Sequence, residues 1–70
     1  MLAGYELQAV VRAWRAKHRL SHTTAQMYLD ASRSQIRFWE SGRAVRPVDI
    51  EALLAKADWR IANQWNGIHV

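Results

Sequence analysis

SRSQIRFWESGR, residues 32 to 43, is the stretch on which the fold turns. Ser32 carries the side chain of a helix N-cap and Gly42 tolerates the positive φ of a helix end, so the segment between them reads as one helix running through Ser41. At ~100° per residue, Gln35, Ile36 and Trp39 fall on one side, and Arg33, Ser34, Arg37 and Phe38 on the other. Two arginines, a hydroxyl and an aromatic ring form an unusual surface for simple solvation.

Working toward the N-terminus, Ser21 reads as a second N-cap and opens a short helix from His22 to Leu29, closed by Asp30. Only Asp30 and Ala31 stand between that helix and Ser32. Two short helices joined this tightly cross steeply, which is the spacing of a helix-turn-helix. Before them, Leu7, Val10, Val11, Trp14 and His18 recur at helical spacing and predict a first amphipathic helix from Tyr5 to about Arg19, preceded by Gly4, with Arg12, Arg15, Lys17 and Arg19 on its polar side.

Toward the C-terminus, Arg43 to Arg46 is a basic loop, and Pro47 suits the first position of a helix. Ile50, Leu53, Leu54, Ala57 and Ile61 make the apolar stripe of a last helix that runs to Gln64 or Asn66 and stops at Asn66-Gly67, unless Asp58 caps a separate fifth helix. The tail Ile68-His69-Val70 alternates but is too short for a strand. The expected fold is therefore all-α, a compact bundle of four to five helices containing a helix-turn-helix. It forms one domain over residues 1–70, with 58–70 as a candidate dimerisation extension.

The composition narrows the function. The chain has 70 residues and a formal net charge of +4. A chain of that size buries roughly 60% of its unfolded surface, and its 4 tryptophans partly offset the small core. With no cysteine there is no disulfide framework or thiolate metal site. The basic balance suits a phosphate-bearing partner, either nucleic acid or an anionic membrane surface. Apolar runs are only a few residues long and the N-terminus lacks a signal-peptide core, so a cytoplasmic protein without membrane spans is expected. His18 and His22 are separated by the helix break at Ser21, no two carboxylates share a face, and neither a glycine-rich phosphate loop nor a nucleophile motif is present. No enzyme, metal or cofactor is expected.

In a helix-turn-helix the second helix enters the major groove, while the helix before it and the loop after it meet the backbone. Arg33 then pairs with guanine, Ser34 with a donor or acceptor, Arg37 with a base or phosphate, and Phe38 with a thymine methyl. The positive helix ends at Ser21-His22 and at Ser32 favour anions, and His22, Thr23, Ser32, Gln35, Arg43 and Arg46 are the candidates for phosphate contacts. The plainer alternative is a solvated arginine face with Phe38 as a satellite of the core. On the last helix, Val48, Ala52, Ala55, Trp59 and Ala62 gather opposite the core stripe and suit two-fold pairing, with Trp65 and the Ile68-His69-Val70 tail assisting. Alternatively Trp59 folds back on the first helix and the alanines merely favour helicity.

The stretch from Leu7 to Ala57 resembles the DNA-binding domain of Xre/Cro-type repressors, a lambda-repressor-like fold. The most specific likeness is SRSQIRFWESGR itself, against a family pattern Ser-Arg-Ser-x-Ile-x-x-Trp-Glu-x-Gly. That resemblance implies an ion pair between Arg15 of the first helix and Glu40 at the end of the recognition helix. YELQAVVRAW, WESGRAV with Pro47, and VDIEALLA are further similar to the helix-turn-helix part of anti-CRISPR-associated regulators, which implies a dimeric autorepressor binding an inverted repeat in its own promoter. Ala25-Gln26 and Asp30 replace the family's Leu-Ala and turn glycine; Asp30 can adopt the left-handed conformation such a turn needs. Phe38 stands where a polar or basic base-reader is common.

The leading expectation is thus a sequence-specific repressor that binds double-stranded DNA as a homodimer. Its rivals are RNA binding by the same basic surface, with Phe38 and an exposed tryptophan stacking on bases, and an antitoxin- or adaptor-like protein-interaction module using the Trp59 face. Membrane-surface association is disfavoured because the first helix needs its apolar side for the core.

Overall fold

Leu7, Val11 and Trp14 recur at spacings of four and three, and all three are buried, because one turn of helix returns them to the same face. They lie on α1 (Gly4–Lys17), which is followed by α2 (His22–Tyr28), α3 (Arg33–Glu40) and α4 (Ile50–Ile68). The computed structural model describes the chain through residue 68, with side chains through Asn63. The described residues are thus all-helical, apart from one isolated antiparallel bridge between Leu2 and Val48.

The core joins the inner faces of all four helices. Leu7 and Val11 of α1, Ile36 of α3 and Ile50 of α4 are the largest fully buried side chains, each contributing about 1.5–3 kcal/mol by leaving water. Ala25, Tyr28 and Leu29 close the core on the α2 side, and Ala57 on the α4 side. Leu53, Leu54 and Ile61 pack against it, as the apolar stripe predicts.

Cap chemistry sets the starts of α2 and α3. The Ser21 hydroxyl accepts from the Thr24 amide and the Ser32 hydroxyl from the Gln35 amide, each at 3.1 Å. The end of α1 differs from expectation: the helix stops at Lys17, and Arg19 takes a left-handed φ of +54°. Leu20 N–H donates to the Arg15 carbonyl and Arg19 N–H to the Ala16 carbonyl, the paired bonds of a Schellman cap. Gly4 lies inside α1 rather than before it.

Four further expectations are corrected. Pro47 does not begin α4; Asp49 caps that helix instead, its carboxylate accepting from the Ala52 amide. The chain just after Pro47 is tied to the N-terminus, because Leu2 and Val48 exchange two backbone hydrogen bonds of 2.9 and 2.8 Å. Asp58 starts no fifth helix but lies within a continuous α4, which also passes the expected stop at Gln64 or Asn66. Asp30 is not left-handed: among the described residues, positive φ is confined to Gly4, Arg19 and Gly42. At Gly42, with φ +79°, the left-handed conformation calls for glycine, and an added Cβ, 2.9 Å from the exposed Tyr5 ring, would also have to displace that ring.

No helix of the described residues is long and apolar enough to cross a membrane.

Candidate nucleic-acid interface

The helix that opened the sequence argument is held by three inward residues. Ile36 is fully buried, and Trp39 and Glu40 are each 5% exposed. Gln35, which the wheel placed with them, is exposed instead, because it lies on the edge of the inward arc. Glu40 is a buried carboxylate, which is stable only when its oxygens are paired.

Its pairing is dense. Arg15 grips it through two bonds of 2.9 Å, Nε to Oε2 and Nη2 to Oε1. His22 Nε2 lies 3.3 Å from Oε2, and Arg12 Nε 3.6 Å from Oε1. The hydrogen bonds that Arg15 donates to Glu40 hold its guanidinium above its ordinary pKa, outweighing the opposite effect of burial. Arg15 Nη1 also donates to the Leu20 carbonyl at 2.9 Å, so one side chain braces both the α1–α2 turn and the end of α3. Gln8 Nε2 donates to the Glu40 carbonyl at 2.8 Å, adding a second tie from α1.

Opposite this anchor, Arg33, Ser34, Arg37 and Phe38 are all exposed. At ~100° per residue, Arg33 and Arg37 form one flank of the outward face, and Ser34 and Phe38 the other. The face therefore has a cationic side and an apolar side. Phe38 is 47% exposed, so it is no closed satellite of the core.

The candidate phosphate contacts divide. Thr23, Gln35, Arg43 and Arg46 are exposed. Ser32 is exposed too, but its hydroxyl is committed to the cap of α3. The His22 imidazole is turned inward to Glu40, which withdraws it from the outward set. Comparisons with protein-family models, with curated proteins and with solved structures yield no match. The functional reading therefore stands on the geometry of this chain.

The loop after α3 lies beside the apolar flank. Ala44 accepts from the Gly4 amide, and Val48 pairs with Leu2 on both of its backbone groups. Between these anchors Val45 is held 86% exposed. Gln35, Phe38, Trp39, Ala44, Val45, Arg46 and Val48 line an open groove of about 440 Å³. Sequence reasoning passed over Val45, whose only signal is an apolar residue in the basic run RAVR. Arg12 likewise reads from the sequence only as part of the polar side of the first helix, although Arg12 and Arg15 are spaced to share a helix side.

On α4, Ala52, Ala55, Trp59 and Ala62 are exposed, with Trp59 at 66%, so Trp59 does not fold back onto α1. Val48 does not belong to this strip: it precedes α4, pairs with Leu2 and packs against the core. Trp65 is a helical residue whose side chain lies outside the described residues, as does the tail at 69–70.

Proposed function

We propose that this protein is a sequence-specific DNA-binding transcriptional repressor, with α2, the connection through Leu29–Ser32 and α3 acting as a helix-turn-helix of the Xre/Cro type. The observation that carries this reading is the two-sidedness of α3. Ile36, Trp39 and Glu40 anchor it, and Arg33, Ser34, Arg37 and Phe38 stand in solvent with the Arg43 and Arg46 loop directly after them. A short helix anchored from behind presents its free side chains to a groove with little reorganisation. Arg33 and Arg37 serve guanine or phosphate, Ser34 serves a base edge, and Thr23, Gln35, Arg43 and Arg46 serve the backbone.

The exposed Ala52, Ala55, Trp59 and Ala62 strip supports pairing of two copies on an inverted repeat, because two-fold protein symmetry matches palindromic half-sites. An autoregulator would bind upstream of its own gene. The test is a gel-shift titration against that promoter region and a scrambled duplex across a salt series. Tight binding confined to an inverted repeat, weakening steeply with salt, is the expected result. Arg33→Ala should cost about 1–3 kcal/mol on the specific site and relax one base position. Equal, weak binding to both duplexes would overturn the reading.

One observation favours a second reading, RNA binding: the half-exposed Phe38 ring is available for stacking on an unpaired base. Competition by a structured RNA against the duplex separates the two.

A further inference from the structure

The groove beside α3 has a lining that base-pair hydrogen bonding does not explain. Its apolar lining comes from Phe38 and Trp39 of the helix and from Ala44, Val45 and Val48 of the loop. Gln35 and Arg46 are its polar groups, and among the described residues no carboxylate lines it. Val45 is 86% exposed yet sits on a backbone pinned on both sides, at Ala44 by the Gly4 amide and at Val48 by Leu2. An apolar side chain held in water by a braced loop gains nothing in the free protein. It gains about 25 cal/mol for each Å² covered when an apolar group is brought against it.

The occupant follows from what a duplex offers at that place. In the major groove, the 5-methyl of thymine is the apolar group on the base edges, and phosphates flank it. A notch with an apolar floor and an arginine at its rim matches that pair of features. The notch is continuous with the outward face of α3 through Phe38, and it opens beside a loop bearing both Arg43 and Arg46.

We propose that Phe38 and Val45 form a two-walled methyl-reading notch, in which a thymine 5-methyl is held between the helix and the loop while Arg46 takes the adjoining phosphate. Val45 is then a specificity determinant outside the recognition helix. The bridge between Leu2 and Val48 is its support, since it holds the loop that carries Val45. The inference rests on the DNA-binding reading above.

The experiment enriches duplexes from a random-sequence pool on the full-length protein, then replaces each thymine of the enriched duplex in turn by deoxyuridine, which removes only the methyl. At one thymine per half-site, wild-type binding should weaken about fourfold, the factor expected for one buried methyl. Val45→Ser, at a solvent-exposed position where folding is insensitive to the change, should reduce that factor below about twofold. Arg33→Ala should weaken binding to both duplexes and leave the factor unchanged. If the enriched duplex is bound tightly but no thymine shows a methyl effect that depends on Val45, the notch is overturned and the DNA reading stands. If no duplex is enriched, the DNA reading itself fails and the notch with it.

Discussion

Two carboxylates in this protein each draw an arginine and further cations, and they differ chiefly in burial. Glu40, 5% exposed, is gripped by Arg15 with His22 and Arg12 close by. Asp30, 58% exposed, meets Arg60 at 3.1 Å and Lys56 at 3.9 Å. At Glu40 every partner substitutes for water that the carboxylate has lost, so removing one side leaves charge without solvent. At Asp30 water remains available, and the pair is correspondingly replaceable. The more consequential contact of Arg60 is with the backbone: Nη1 donates to the Tyr28 carbonyl at 2.7 Å and ties α4 to the end of α2. The same chemistry thus positions the candidate recognition helix in one place and trims a helix junction in the other.

The sharpest way to break this contrast is Glu40→Ala, which leaves Arg15, Arg12 and His22 converging on an empty centre. It should lower stability by about 3 kcal/mol in equilibrium urea unfolding. A loss below about 1 kcal/mol would mean that these side chains rehydrate freely and that Glu40 behaves like a surface residue. Because the pair anchors α3, a folded Glu40→Ala protein should also lose duplex affinity without any substitution on the outward face.

Asp58 tests whether the burial of the carboxylate or that of its partner sets the cost. Asp58 is itself half exposed, but its Oδ1 accepts from the indole of Trp14 at 2.7 Å, and Trp14 is 6% exposed. His18 Nε2 lies 3.2 Å from the same oxygen. Asp58→Ala should cost about 1–2 kcal/mol, the penalty of an orphaned buried donor, read by thermal unfolding followed by tryptophan fluorescence. A neutral result would show that water reaches the indole.

The smallest effect belongs to Asp30. The Arg60 hydrogen bond, then the Arg60 charge, hold its carboxyl below the ordinary value of 3.8 against an opposing effect of desolvation, with the Lys56 charge adding least. A carboxyl depressed in the folded state binds fewer protons there than in the unfolded chain. Its contribution is therefore complete above the unfolded value and is lost as pH falls through the folded one. Asp30→Asn should leave the melting temperature near its wild-type value at neutral pH, and the slight difference should vanish as the pH is lowered below about 3.8. A difference that grew in acid would reverse the assignment.

The helices themselves were legible because their signals are local. Ser21 and Ser32 cap as their hydroxyls predict, and the stripe from Ile50 to Ile61 packs inward as its spacing predicts. Arg15 and Glu40, implied as partners by the Xre/Cro resemblance, do form a two-bond pair. The outward side of α3 follows from the same periodicity, with Gln35 as the exception at its edge.

What periodicity left open was settled by residues distant in the chain. Pro47 looked like a helix start, but Val48 is claimed by Leu2, and α4 waits for Asp49. Asp58 looked like a cap until the Trp14 indole supplied it with a donor from α1. His22 looked free for phosphate, yet Glu40, brought over by α3, takes its ring. Val45 offers only the weak signal of an apolar residue in a basic run, because an exposed valine acquires meaning only when a braced loop brings it to the same groove as Phe38. Local hydrogen bonding and helical period decide where each helix runs. Which polar side chain faces solvent depends on which unpaired partner the fold delivers, since a buried charge or donor takes whatever group lies within reach.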